Sequence, residues 1–281
     1  MFSLSINAKK LKNIIPIGVL IVLISIVGYH RWTGETFGKT KAIARFNNQT
    51  QSLAIIKSDF VERGQKIKQS YNSEITRLVK VKDYSITFRN DSNAPIAGII
   101  FSFKRNGEIK MLDTSDTKIS QAQQLKPHEV RTRQINSVDS DLVPNIECIV
   151  FDDRSFEGDS LISQDLLNRW DGCQQKLTMV RSLLEEIENT PDPAFERAFS
   201  QFVLRMNTDL TPEFYHKMHP RLGPSPEERR NGHMQLGEAN AIDIMKPFFT
   251  RLQSDHSKAT LHTVIQHINQ YISSFSSTSL K

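Results

Sequence analysis

At Asp159 the hydrophobic pattern of this 281-residue chain changes period, and that change constrains the fold more than any other feature. From about Ser73 the apolar residues recur every second position, the spacing of half-buried strands. Ile75, Arg77 and Val79 alternate with Thr76, Leu78 and Lys80, and Ser85 to Phe88 continues the pattern. Ile96 to Phe103 (IAGIIFSF) and Ile146 to Phe151 (IECIVF) are β-branched and aromatic, as buried strands are. Turn chemistry separates them: Asn90 to Asn93, Arg105 to Glu108, and Leu125 to Glu129. Asn106-Gly107 supplies the positive φ angles of a type I′ hairpin turn. About seven short strands in some 90 residues, without helical patterns between them, predict an antiparallel immunoglobulin-like β-sandwich over 73–162.

After Asp159 the spacing becomes helical. Leu166, Trp170, Cys173, Leu177, Val180, Leu184 and Ile187 form one continuous stripe, with Ser163 as the expected N-cap. Asp192 and Pro193 open a second helix, whose face carries Phe195, Phe199, Phe202, Val203 and Met206. Pro220 to Gly237 reads as a loop. Ala241 to Ser254 resumes helical spacing, bent or divided at Pro247, and Leu261 to Ile272 forms a last amphipathic helix. The helical region is expected over 163–273, with a flexible tail over 274–281.

The N-terminus points to a compartment. Ile14 to Tyr29 is sixteen residues without a charge, preceded by Lys9, Lys10 and Lys12. As a helix it would be about 24 Å long, and Leu11 to Trp32 would span a bilayer. The first reading is an uncleaved signal anchor over 1–33, holding the chain to the membrane through Ile14–Tyr29. A cleaved signal peptide and a buried core helix are the alternatives; the first lacks a small-x-small cleavage site, the second has no polar face. Lysines close to the run favour a cytoplasmic N-terminus and an extracytoplasmic body, although Arg31, Lys39, Lys41 and Arg45 flank the other side. Residues 34–72 read as a polar tether, with a helix around Ser52 to Lys68. The expected fold class is therefore α+β and multi-part: transmembrane helix, sandwich and C-terminal helical region.

The net charge of +5 invites a nucleic-acid reading. Three of those charges precede the apolar run, however, which leaves 33 basic against 31 acidic residues in the body, a net of +2. With no clustered basic stripe, nucleic acid is not the expected partner.

Candidate chemistry is sparse. Asp153, Ser155, Glu157 and Gly158 match positions 1, 3, 5 and 6 of a calcium loop, but Gln164 replaces the bidentate Glu at position 12. Asp153, Glu157 and Asp159 are thus weak metal candidates, and a hairpin with solvated carboxylates is preferred. His216 and His219 form H-x-x-H, a second weak metal pair, without an HExxH motif or a nearby cysteine. Neither a nucleophile elbow nor a phosphate loop occurs, so no catalytic or cofactor-binding residue is assigned. Cys148 and Cys173 are expected in the core, as two buried thiols or as a disulfide if the helix folds back on the sandwich.

The segment Phe151-Asp152-Asp153-Arg154-Ser155-Phe156-Glu157-Gly158-Asp159 resembles the F-x-D-G-S-x-E-G-D ending of the β-domain in a group of uncharacterised bacterial proteins. In that group a helix follows, and an N-terminal apolar segment is common. Arg169-Trp170-Asp171-Gly172 is similar to the group's R-x-x-G. Asn90 to Ile96 and Leu125 to Glu129 are similar to its N-x-S-x-x-P-I and L-x-P-G-E turns. The resemblance covers about 73–180 and departs at Arg154 and His128, where the group has glycine. It implies an extracytoplasmic β-sandwich and supplies no catalytic residue.

The leading expectation is a membrane-anchored, non-catalytic binding or scaffold module of the bacterial cell envelope. Its protein partner would dock at a β-sheet edge or on the C-terminal helices. The alternatives are a hydrolase or metal-dependent enzyme using the histidine-rich C-terminal part, and a cytoplasm-facing, membrane-tethered regulator.

Overall fold

The computed structural model describes residues 41–68, 76–120, 122–209 and 225–276. Ile14–Tyr29 lies outside them, and no helix of the described residues is long and apolar enough to cross a membrane.

The chain is mixed α+β, with two sheets and five helices among the described residues. One sheet contains β1 (Ala42–Ile43), β3 (Leu53–Lys68), β4 (Thr76–Asn90) and β7 (Val130–Asp139), paired antiparallel in the order β1-β3-β4-β7. The other contains β2 (Asn47–Asn48), β5 (Ile96–Arg105), β6 (Glu108–Asp116), β8 (Val143–Phe151) and β9 (Phe156–Gly158), in the order β2-β8-β5-β6 with β9 returning on β8. Its pairs are antiparallel except β2–β8. The sheets close on a common core in which Tyr84, Ile86 and Phe88 of β4 meet Phe101 and Phe103 of β5. Ring pairs Tyr84–Phe103 (5.6 Å) and Phe88–Phe101 (6.3 Å) cross between the sheets at favourable aromatic separations.

The expected turn at Asn106-Gly107 forms, with φ of 53° and 83°. His128 (61°) and Arg154 (73°) also adopt positive φ, although neither is glycine.

The segment expected as tether and helix is different. Ser52 to Lys68 is not helical: Leu53–Lys68 is a strand, paired with β4 along its whole length, and β1 and β2 lie just before it. So much of 34–72 belongs to the sheets. Its inward residues Leu53, Ile55 and Phe60 are separated by polar ones and show no clear period, yet β4 needs a backbone partner on that side. The 16-residue β3 satisfies those N–H and C=O groups whatever the local propensity.

The helices are α1 (Thr117–Ser120), α2 (Ser160–Glu188), α3 (Asp192–Asp209), α4 (Pro226–Ser254) and α5 (Lys258–Phe275). α2 packs on the outer face of the second sheet, where Ala97, Ile100, Cys148 and Val150 join Ile162, Leu166, Trp170 and Cys173 in a second core. Its central strands β5 and β8 are therefore buried on both faces, which explains the unbroken apolar run of β5. All seven residues of the helical stripe from Leu166 to Ile187 are buried. α3, α4 and α5 complete this core with Phe195, Phe199, Met245, Phe249, Val264 and Ile268.

Three local expectations are corrected. Asp159, not Ser163, caps α2, accepting from the Ile162 amide; Ser163 is buried in the first turn and donates to the Asp159 carbonyl at 2.7 Å. Pro226 to Gly237 is helix rather than loop. Ser225 and Glu228 form a capping box with Pro226 in the first turn, and Gly237 serves helix packing. α4 also runs on through Pro247 without dividing, held by Ala241, Ile242, Met245, Phe249 and Leu252 in the core.

Candidate functional site

The residues of the Phe151–Asp159 segment are spent on joining parts of the fold. Asp152 accepts from the Lys118 ammonium (2.5 Å) and from Gln124 (2.6 Å). Lys118 is almost fully buried, lies 5.5 Å from the Trp170 ring centroid and also donates to the Ser274 carbonyl at 2.7 Å, so one cation ties α1, the β8–β9 turn, α2 and α5. Asp153 accepts from the Ser155 amide and hydroxyl, closing its own turn, and these bonds hold its carboxyl below the usual range. Arg154 donates to Asp171 on α2. Glu157 accepts from the Gln51 and Ser52 amides (2.9 Å each) and the Ser52 hydroxyl. Burial opposes these bonds, which still hold its carboxyl low. Gly158, at φ 95°, sits where a Cβ would lie 2.1 Å from the Glu147 carbonyl oxygen. Asp153, Glu157 and Asp159 therefore serve a turn, the β2–β3 connection and a helix cap, and do not converge on a shared ligand position.

The second motif is built in the same way. Trp170 donates from Nε1 to Asp116 (2.9 Å), Asp171 takes Arg154, and Gly172 lies where a Cβ would be 2.0 Å from the Met234 carbonyl oxygen of α4. Arg169 donates to Nδ1 of His233 at 3.3 Å, which leaves the ring proton on Nε2. Nε2 lies 3.2 Å from Asp165 but off the line of a hydrogen bond. Asp165 accepts from Arg229, whose Nε lies 2.8 Å from Oδ1 and 3.1 Å from Oδ2. The result is a polar chain Arg169–His233–Asp165–Arg229 across the α2–α4 interface, with Asp116 on the sheet side of it.

The electrostatics of the two carboxylates differ. Burial pushes Asp116 up, against the lowering effect of the Ile119 and Lys118 amides, Trp170 and Arg169. Burial would raise Asp165 too, but the facing His233 and Arg229 outweigh it and hold that carboxyl low. Arg169 is lowered by burial, against the pull of Asp116 and Asp165. A cleft of about 300 Å³ opens beside this chain, lined by Gln164, Asp165, Asn168, Asp171, Arg229 and Arg230 among others. Chemically the site is charge-balanced. Both ring nitrogens of His233 face committed groups, and the neighbouring Ser163 hydroxyl is bonded to Asp159.

The other candidates are scattered. His216 and His219 lie outside the described residues. His256 lies tilted against the Phe199 ring at 4.9 Å, His262 meets Glu188 at 2.8 Å, and His267 meets the Thr263 carbonyl at 2.7 Å. Among the described residues no group of three or more His, Cys, Asp or Glu is placed to hold a metal ion. Cys148 and Cys173 are both buried free thiols, and burial pushes each up to about 12. Elsewhere, a groove of about 370 Å³ runs between α2 and α3, with Met179, Leu183 and Phe202 in its wall and Lys176, Glu186 and Arg205 around it.

Sequence reasoning missed Asp116, Asp165 and Arg229, and placed His233 only within the histidine-rich C-terminal part. The Asp165–Arg229 pair is separated by 64 residues, and no local pattern marks it. The one local signal overlooked was Ser225-x-x-Glu228, which starts the helix that delivers Arg229 and His233. No protein-family model, curated protein or solved structure matches the chain.

Proposed function

We propose that this chain is a membrane-anchored, non-catalytic binding or scaffold module of the bacterial cell envelope. The observation that carries the reading is the use of the motif residues. From Asp152 to Asp159 and from Arg169 to Gly172, the side chains described above cap, cross-link or close turns, and they weld the β-sheets to the helical layer. That is the economy of a rigid display body. A hydrolase would instead present a nucleophile beside a base with a free nitrogen, whereas His233 sits between Arg169 and Asp165.

The strand order supports an immunoglobulin-like class. Counting from β3, strands one, two and five share one sheet, while four, three, six and seven share the other; the fourth stands in the C′ place beside the third. Positive φ at His128 and Arg154, the two positions where the resembling bacterial group has glycine, supports that resemblance. Anchoring rests on Ile14–Tyr29 and its lysine flank. Of the two docking places, the helices are favoured over an edge. Arg133 of β7 reaches across to the Thr114 carbonyl on β6 (3.2 Å), which occupies part of that edge. The α2–α3 groove leaves apolar side chains such as Met179 at the surface.

Protease protection of a C-terminal tag, in intact cells with the outer barrier opened, tests the placement. Digestion of the tag is expected; a protected tag would put the body in the cytoplasm and favour the tethered-regulator reading.

A further inference from the structure

Only Asn189, Thr190 and Pro191 separate α2 from α3, so the two helices run antiparallel from that turn. Beside the turn the groove between them is lined by Glu186, Ile187 and Thr190. Lys176 on α2 and Arg205 on α3 are the lining residues farthest along each helix from the turn, so both cations stand at the same, open end. From Lys176 to Ile187 the groove is about 16 Å long at 1.5 Å rise per residue.

Its floor is apolar. Val180 and Phe202 are buried in the helical core, Leu183 and Ala198 are half-buried against it, and Met179 is left 46% exposed. Neither Lys176 nor Arg205 has an ion-pair or hydrogen-bond partner among the described residues. Glu186 does not neutralise them: it lies about 15 Å from Lys176 along the helix axis, beyond a Debye length of about 8 Å. The groove is thus polarised, with two uncommitted cations at its mouth and an apolar run behind them.

Volume decides between occupants. A helix is about 10 Å across, so three turns of one occupy on the order of 1,200 Å³. The groove offers about 370 Å³. A partner helix would rest on the rim and leave the floor unfilled. A single unbranched alkyl chain fits, and the volume falls within the range of about 300–1,000 Å³ found for small-molecule sites.

We infer that the α2–α3 groove binds a medium-chain fatty acid. The carboxylate lies between Lys176 and Arg205, where both side chains donate charge-assisted hydrogen bonds. The alkyl chain runs over Met179, Leu183 and Ala198 toward the turn and covers apolar surface that is otherwise wet. Dodecanoate, extended, matches the length of the groove. This names a ligand for the binding module proposed above, and it rests on that reading's choice of the helical face, not on the anchor.

The test uses the full chain with phosphatidylcholine nanodiscs and a dodecanoic acid carrying a diazirine near its methyl end, photolysed and mapped by peptide mass spectrometry. Label is expected on the peptides holding Leu183 and Ala198, displaced by excess dodecanoate but not by methyl dodecanoate. Lys176→Gln/Arg205→Gln should lower that label about tenfold or more, the effect of losing a hydrogen bond to a charged group. Ala198→Trp, which fills the groove, should abolish it. The acid–ester comparison on the native chain keeps the test valid if either variant misfolds. Displacement by acid and ester alike overturns the assignment. Label confined to Ile14–Tyr29 is partitioning into the bilayer; it overturns the site, leaves the anchor standing and turns attention to a protein partner. A chain that does not co-elute with the nanodiscs yet is labelled in the groove overturns the anchor and keeps the site.

Discussion

Two carboxylates on neighbouring elements, Asp165 buried and Asp116 half-buried, should respond to pH in opposite directions. Asp165 is held below the ordinary 3.8 by His233 and Arg229 once burial is outweighed. Its stabilising contribution is therefore present above 3.8 and lost as pH falls through its lowered value. Burial raises Asp116, so its cost is absent in acid and grows as pH rises from 3.8 through its raised value. Asp165→Asn should destabilise by roughly 2 kcal/mol near neutrality, with the deficit closing in acid. Asp116→Asn should gain on the native chain as pH rises from about 4. Urea titrations at a series of pH values read both curves, and parallel curves would show that neither group titrates as described. Glycine at the helix crossing is a separate matter. A Cβ on Gly237 would lie 2.0 Å from the Arg169 carbonyl oxygen, a backbone atom that cannot swing aside. Gly237→Ala should cost about 3 kcal/mol in the same assay, the upper range of overpacking, where most exposed helix glycines gain from alanine.

Among the elements, α2 organises the molecule. Its apolar stripe was legible because the whole 29-residue helix keeps one spacing and all its stripe residues face the same core. Its start was not, since Asp159 closes a strand hairpin and caps the helix at once, and a cap four residues further on was equally plausible by residue type. Asp159→Ala should cost about 1 kcal/mol through the lost bond to the Ile162 amide, measured as a lower midpoint in urea without a change of slope. The β3 strand was illegible for a different reason. Its few inward residues, Leu53, Ile55 and Phe60, are too interrupted by polar ones to show a period, and pairing with β4 makes it a strand. In α4, Gly232 and Gly237 read as loop residues although both are buried in the helix, and Gly237 lets the α2 backbone approach.

At the scale of the whole molecule, the second sheet cannot stand without its helices. Ala97, Ile100, Cys148 and Val150 are buried under α2, on the face turned away from the sandwich core. A chain ending after Asp159 would expose that face, and it should self-associate or bind a hydrophobic dye where the full body does not. Size-exclusion chromatography with dye fluorescence checks this; a monomeric, dye-silent fragment would mean that the sandwich is self-sufficient. The sequence alone determined the order of strand-rich and helix-rich regions, the hairpin turn at Asn106-Gly107 and the faces of the helices. These depend on neighbours within a few residues, where period and φ preference act. Tertiary structure alone decided that α2 covers the sheet, that Arg169, His233, Asp165 and Arg229 form one chain, and that β3 is a strand paired with β4. Each of these depends on groups far apart in sequence, whose pairing is set by which surfaces must leave water and which backbone groups still need partners.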